Sequence, residues 1–188
     1  MKDGFGRQIH YLRLSVTDRC DFRCTYCLPR SHRSFAKPQE WLTPREIARI
    51  GEIFSRLGVN HIRLTGGEPL VRKGVAELAA RLTALPGLND LSLSTNAVLL
   101  GNQADALRQA GISRINVSLD SLRPERFKQI TGSELQPVLD GLMAARDQGF
   151  APIKINMVAM RGVNDDEFED MVEFCLHNDF TLRFIETM

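Results

Sequence analysis

Three of the four cysteines in this chain of 188 residues stand close together, at Cys20, Cys24 and Cys27, in the run TDRCDFRCTYCLP (17–29). Thiolates are ligands for zinc and for iron–sulfur clusters, and three chemistries compete for this spacing. A structural zinc site wants four closed ligands, often two separated pairs of cysteines. No second pair exists, and only His10 and His32 are near enough in sequence to complete such a site. A thioredoxin-like motif needs only CxxC, in a different context. An iron–sulfur cluster can be held by three thiolates, which leaves one iron without a protein ligand. A substrate or cofactor can then coordinate that iron. The fourth cysteine, Cys175 in MVEFCLHN, lies alone in an apolar helical stretch and reads as a buried core thiol.

A second chemical signal is TGGEPL (65–70). Glycine lets backbone approach a ligand closely, and the pair Gly66–Gly67 equally suits a tight turn from strand to helix. Its meaning depends on what surrounds it.

Six short apolar strands are expected to position these residues: IHYLRLSVT, HIRLTGG, LSLSTN, RINVSLD, PIKINMVA and TLRFIETM. Between them run five helical patterns: PREIARIGEIFSRLG, GVAELAARLTAL, QADALRQAG, LQPVLDGLMAARDQG and NDDEFEDMVEFCLHN. The first opens on Thr43, Pro44 and Glu46, an N-cap, a first-turn proline and a capping-box acid. Gly58, Gly111 and Gly149 supply C-terminal stops. Strands alternating with helices imply a parallel sheet with right-handed crossovers.

Side chains alternate across a strand. One face collects Leu12, Leu14, Ile62, Leu64, Leu91, Leu93, Ile115, Val117, Ile153 and Ile155. The other collects Arg13, Ser15, Arg63, Ser92, Ser94, Asn116, Ser118, Lys154 and Asn156. A parallel sheet covered by helices on both faces would be apolar on both. The polar face is therefore expected to line a wet or ligand-filled lumen. The fold class is α/β, a partial (β/α)6 TIM-like barrel of parallel strands, and both motifs fall at the C-terminal ends of strands, where such folds place their sites.

Bulk properties narrow the partners. The formal net charge of +1 calls for neither nucleic acid nor a membrane surface. No apolar run approaches the roughly 20 residues of a membrane span, and MKDGFGRQIH has no signal-peptide character. The chain reads as cytoplasmic and as one domain over residues 1–188. Clustered cysteines in a reducing compartment read as ligands rather than disulfides.

The spacing Cys20-x3-Cys24-x2-Cys27, with Tyr26 before the last cysteine, resembles the radical S-adenosylmethionine (SAM) enzymes, in which SAM chelates the open iron of a [4Fe–4S] cluster. The segments DGFGRQIHYLRLSVTDRCDFRCTYCLP, WLTPREI, IRLTGGEPLVR, INVSLDSL, ITG, KINMVAMRGVND and LRFIETM are together similar to the GTP 3′,8-cyclase family, which acts in molybdenum cofactor biosynthesis. That resemblance implies cluster ligation by Cys20, Cys24 and Cys27. It implies SAM contacts from Tyr26, Gly67, Ser118 and Met188, with Tyr26 and Met188 acting through backbone atoms. It implies GTP contacts from Arg13, Arg63, Ser94 and Lys154; the family more often has threonine where Ser94 stands, and the hydroxyl is retained. The parity of the strands places all of these cations inward. Three converging cations suit a triphosphate, whereas an ion pair with Asp120 or Glu186 is the plainer account of any one of them.

The implied reaction is reductive cleavage of SAM to a 5′-deoxyadenosyl radical, which takes the C3′ hydrogen of GTP and leads to (8S)-3′,8-cyclo-7,8-dihydroguanosine 5′-triphosphate. An external electron donor is implied, and room is left for a homodimer. The sequence ends at Met188, whereas the family continues into a region with a second cluster. Complete cyclase activity is therefore not expected of residues 1–188 alone, and the last strand is expected to lack its covering helix and to expose Phe184 and Ile185. The basic loop 30–41 is given no role. Another radical SAM enzyme, such as a peptide-modifying one, and a zinc-binding interaction module are the alternatives.

Overall fold

Thr43 opens the first helix as its sequence requires: its hydroxyl accepts from Glu46 N at 3.2 Å while Glu46 reaches back to Thr43 N at 2.7 Å. This capping box starts α1 (Pro44–Arg56) in a computed structural model that describes residues 2–27 and 34–186. The strands are β1 (Tyr11–Ser15), β2 (His61–Thr65), β3 (Asp90–Thr95), β4 (Arg114–Ser118), β5 (Ile153–Ala159) and β6 (Thr181–Glu186). The remaining helices are α2 (Val75–Thr83), α3 (Ala104–Gln109), α4 (Pro124–Thr131), α5 (Gln136–Asp147) and α6 (Phe168–His177). All strand pairs are parallel and follow chain order, β1-β2-β3-β4-β5-β6, so that β1 and β6 are the edges of an open barrel. The expected partial (β/α)6 architecture is the one observed.

One helix departs from expectation. The sequence reading placed five helices between the strands; β4 and β5 are in fact joined by two, α4 and α5. Helix α4 has no side-chain N-cap and only 8 residues, and too short a helix is marginal alone. It forms because Phe127 and Ile130 are buried beneath it. The position of Pro124 at its start and of Gly132, at φ +75°, just past its end are the sequence signals that mark it.

The parity of the strands is realised. Leu64, Leu93, Ile115, Val117, Ile155 and Met157 are fully buried between sheet and helices, and burying each such side chain stabilises by roughly 1.5–3 kcal/mol. Cys175 is buried in the same core, as expected. At the far edge Phe184 and Ile185 remain 46% and 43% exposed, although Phe184 stacks on Phe168 of α6 at 4.7 Å. Among the described residues no helix is long and apolar enough to cross a membrane.

Candidate active site

The loop leaving β1 carries the cysteines, and it rests on α4. Arg23 N and Thr25 N donate to the carbonyls of Thr131 and Ile130 at 2.7 and 2.9 Å. These bonds satisfy carbonyls that a helix C-terminus leaves orphaned. Phe22 is buried and meets Phe127 edge-on at 5.7 Å. The helix missing from the sequence reading is thus the shelf for the cysteine loop.

Cys20 and Cys24 are half-buried and Cys27 is exposed; all are free thiols. Burial pushes the Cys20 thiol up to about 11, and the charges of Asp21, Glu68 and Cys27 add to it. Burial pushes Cys24 up to about 12, with Asp120, Cys20 and Cys27 adding. Cys20 and Cys24 therefore lose their protons less readily than an ordinary thiol. Among the described residues, no three His, Cys, Asp or Glu side chains stand converged as a finished ligand set. His10, the described histidine of the zinc alternative, lies at the opposite end of β1 and bonds Gln8 O through Nδ1 at 3.2 Å. His32 lies outside the described residues, as does the 30–33 part of the basic loop.

The glycine pair closes against the start of this loop. Gly67 N donates to Thr17 O at 2.8 Å and Glu68 N to Arg19 O at 2.7 Å. A Cβ on Gly67 would fall 2.3 Å from Arg19 O, and one on Gly66 2.5 Å from Thr17 O. Close approach of backbone to backbone, rather than an unusual φ, is why glycine stands at both positions. Glu68 turns inward and is 1% exposed. Its carboxylate accepts from Leu70 N at 3.0 Å, Thr95 Oγ1 at 2.8 Å and Asn96 N at 2.6 Å, and Asn96 Nδ2 donates onward to Asp21 Oδ1 at 2.6 Å. Burial still outweighs these donors and pushes Glu68 up to about 7. The tips of β2 and β3 are thereby joined to the cysteine loop.

A matching connection comes from β4. Tyr26 was expected to act through its backbone, but its side chain is also engaged: the hydroxyl donates to Asp120 Oδ2 at 2.6 Å. Asp120 is therefore no partner for a lumen cation. Burial raises its carboxyl above the usual range against the pull of Tyr26 and Val158. Neither Glu68 nor Asp120 was singled out as a tether from sequence, because each acts on a partner far away along the chain.

Below the rim, register brings the predicted cations together. Arg13 lies beside Arg63, and Arg63 beside Ser92. Ser94 adjoins Asn116, and Asn116 adjoins Lys154. Ser118, at the C-terminal end of β4, adjoins Asn156, and Asn156 adjoins Arg183. Arg63 stacks on Tyr11 at 5.4 Å and donates from Nε to Ser92 Oγ at 3.3 Å. Burial lowers the basicity of Lys154, and Arg183, Arg114 and Arg63 lower it further. Burial likewise lowers Arg63. Among the described residues Arg13, Arg63, Lys154 and Arg183 make no ion pair; the inward cation that does is Arg114, held by Asp90 at 2.6 Å. Arg183 was missed although alternation from Thr181 would have placed it inward.

Two lumen amides add to the picture. Asn116 Oδ1 and Asn156 Oδ1 are buried with no hydrogen-bond partner among the described residues. An unsatisfied buried acceptor costs about 1–3 kcal/mol. The lumen thus offers unpaired cations to an anion and unpaired acceptors to hydroxyl or N–H donors. Met188 lies outside the described residues; the other predicted site residues line the C-terminal rim or the lumen of one barrel.

Comparison with known proteins gives consistent results. The model of the Radical SAM superfamily matches residues 14–175. A GTP 3′,8-cyclase from Listeria monocytogenes is 46% identical over 189 residues, covering 100% of this chain and 57% of the relative. GTP 3′,8-cyclase 2 of Pseudomonas aeruginosa is 51% identical over 187 residues, covering 99% of this chain and 56% of the relative. The chain therefore spans little more than half the length of the curated relatives it matches. Among solved structures, Streptococcus suis SuiB bound to S-adenosylmethionine superposes with a TM-score of 0.77 at 19% identity, over 95% of this chain and 39% of that one. The FeFe-hydrogenase maturase HydG superposes with a TM-score of 0.75 at 14% identity, over 94% of this chain and 42% of that one. At these identities the structures speak to the fold.

Proposed function

The chain belongs to the radical SAM superfamily, and from that premise we propose that it forms the radical-generating core of a GTP 3′,8-cyclase. The observation that carries the reading is the placement of three free cysteines on the loop leaving β1, at the rim of a lumen in which Arg13, Arg63 and Lys154 make no ion pair among the described residues. The donor set fits an iron–sulfur cluster: three soft sulfur ligands and no fourth cysteine beside them. When bound, a [4Fe–4S] cluster held by Cys20, Cys24 and Cys27 would, with one electron from an external donor, cleave SAM to methionine and a 5′-deoxyadenosyl radical, the hydrogen-abstracting chemistry that closure of C3′ of GTP onto C8 requires.

The residues of the chain do the rest. Cys20, Cys24 and Cys27 hold the cluster. Gly67 brings bare backbone to SAM, Ser118 offers its hydroxyl from the end of β4, and Tyr26 and Met188 contribute backbone atoms. Arg13, Arg63 and Lys154 neutralise the triphosphate, and Ser94 donates a hydroxyl to the nucleotide. A hydrogen bond between a charged pair contributes about 1.5–3 kcal/mol. Anion binding also relieves the mutual repulsion that depresses Lys154 and Arg63. The unpaired Asn116 and Asn156 oxygens suit sugar hydroxyls rather than phosphate. Holding C3′ beside the radical source and excluding water are what the protein contributes to selectivity.

The test is label transfer. The anaerobically reconstituted protein, supplied with SAM, dithionite and GTP deuterated at C3′, is expected to form 5′-deoxyadenosine carrying that deuterium. Cleavage of SAM without transfer of label would overturn the substrate, and the absence of cleavage would overturn the chemistry.

A further inference from the structure

The proposed SAM contacts Tyr26 and Ser118 sit on different segments, one on the cysteine loop and one at the end of β4, and something must fix the distance between them. The backbone reaches only its neighbours: Thr25 N donates to Ile130 O of α4 at 2.9 Å, and Cys27 N donates to Cys24 O at 3.1 Å, closing a turn whose last residue is exposed. The side chain reaches much further. Its hydroxyl donates to Asp120 Oδ2 at 2.6 Å, across 94 residues of sequence.

Asp120 is held in place from several directions. It is 2% exposed, and its other carboxylate oxygen accepts from Val158 N at 2.8 Å. Its carbonyl accepts from Asn164 Nδ2 at 2.7 Å, and the fully buried Asn164 also donates to Val158 O and accepts from Met160 N. The next residues are clamped as well: the buried Glu167 carboxylate accepts from Ser121 Oγ at 2.8 Å and from Leu122 N at 2.8 Å, and it pairs with Arg126. Buried, fully satisfied polar networks of this kind rigidify what they hold. The tips of β4 and β5 are therefore a stiff frame, and the phenol is a hook from the loop onto it.

We propose that Asp120 is a positioning residue, whose buried carboxylate grips the Tyr26 hydroxyl and so sets the turn 24–27 against the β4 rim that carries Ser118. The inference rests on the radical SAM reading and adds to it a residue that touches neither cluster nor SAM. A carboxylate makes the stronger hold, because a carboxamide of its shape could pair with the phenol only by reversing the bond, its N–H donating to the phenol oxygen as a neutral contact. Both of its oxygens face donors, the phenol O–H and the Val158 N–H, and a carboxamide would turn an N–H toward one of them. The hydroxyl–carboxylate bond belongs to the stronger, charge-assisted class, and a misplacement of about 1 Å at a reacting centre can cost on the order of a hundredfold.

The test uses the reconstituted chain as Tyr26→Phe, Asp120→Asn and the double variant, normalised to cluster content. SAM dissociation constants and the electron paramagnetic resonance change induced by SAM are read in each. Tyr26→Phe leaves the carboxylate frame intact and removes the hook together with the hydroxyl's hydrogen bond to Cys24, so the comparison with Asp120→Asn and the double variant assigns the effect to the carboxylate. The expected result is SAM binding weakened about tenfold or more in Tyr26→Phe, as for loss of one charge-assisted bond, with an altered spectral change and no further loss in the double variant. Wild-type affinity and spectrum in Tyr26→Phe would overturn the proposal, as would effects that multiply in the double variant. A wild-type chain that binds no SAM would overturn the radical SAM reading, and this inference with it.

Discussion

Gly67→Ala is the sharpest perturbation of the site, because the added atom has nowhere to go. Its Cβ would lie 2.3 Å from Arg19 O, 2.5 Å from Arg19 C and 2.8 Å from Asp18 O, all of them backbone. Ordinary contact begins at 3.4 Å, so the glycine turn or the start of the cysteine loop must retreat by about 1 Å. That movement stretches two backbone bonds, Gly67 N to Thr17 O and Glu68 N to Arg19 O, at 2.8 and 2.7 Å. Two such bonds contribute about 1–3 kcal/mol, and overpacking adds a cost of similar size. We expect the metal-free variant to lose about 2–6 kcal/mol in guanidinium denaturation and the reconstituted variant to lose measurable SAM binding. Gly74→Ala is the control: Gly74 has φ +81° but nothing within 4 Å of its Cβ position, so only the strain of a left-handed residue, about 1 kcal/mol, is expected. Equal stability of Gly67→Ala and wild type, with SAM bound normally, would refute the reasoning.

Two other variants probe the lumen and the buried acid. Lys154→Ala should weaken GTP binding about tenfold to a hundredfold, as for loss of one charged hydrogen bond, and leave SAM binding unchanged in equilibrium dialysis. Because burial and Arg183 lower the basicity of Lys154, wild-type GTP affinity should begin to fall with rising pH below the usual lysine pKa of about 10.4, and Lys154→Ala should lack that limb; identical profiles would contradict the assignment. Glu68, pushed up to about 7 when folded against about 4.3 unfolded, binds more protons in the native state. Its contribution is fully present below the lower value and is lost as pH rises through the upper one, an effect of at most about 4 kcal/mol. Denaturation of the metal-free chain from pH 5 to 8 should therefore show a downward slope that Glu68→Gln flattens, whatever the variant's absolute stability; an unchanged slope would exclude this role.

How far the sequence could be read depended on the range of the interactions involved. Alternation in β2, β4 and β5 is local and strong, so the sequence alone assigns Arg63, Asn116 and Lys154 to one face. The same rule applied to β6 leads to Arg183, but Phe184 and Ile185 blur the pattern because that edge strand is exposed. Helix α4 escaped notice because its stability comes from Phe127 and Ile130 packing rather than from capping. The tethers Tyr26–Asp120 and Asn96–Asp21 span 94 and 75 residues. No spacing rule connects such partners; only the closing of the sheet brings the loop to the strand tips.

The most direct measurement of the central claim is electron–nuclear double resonance on the reduced, reconstituted chain with SAM labelled by a nitrogen isotope at its amino group. Three thiolates that leave one iron open predict a strong coupling between that nitrogen and the cluster, lost in Cys24→Ser. A cluster that forms and shows no coupling to the label, or a chain that assembles no cluster in the absence of air, would contradict the account.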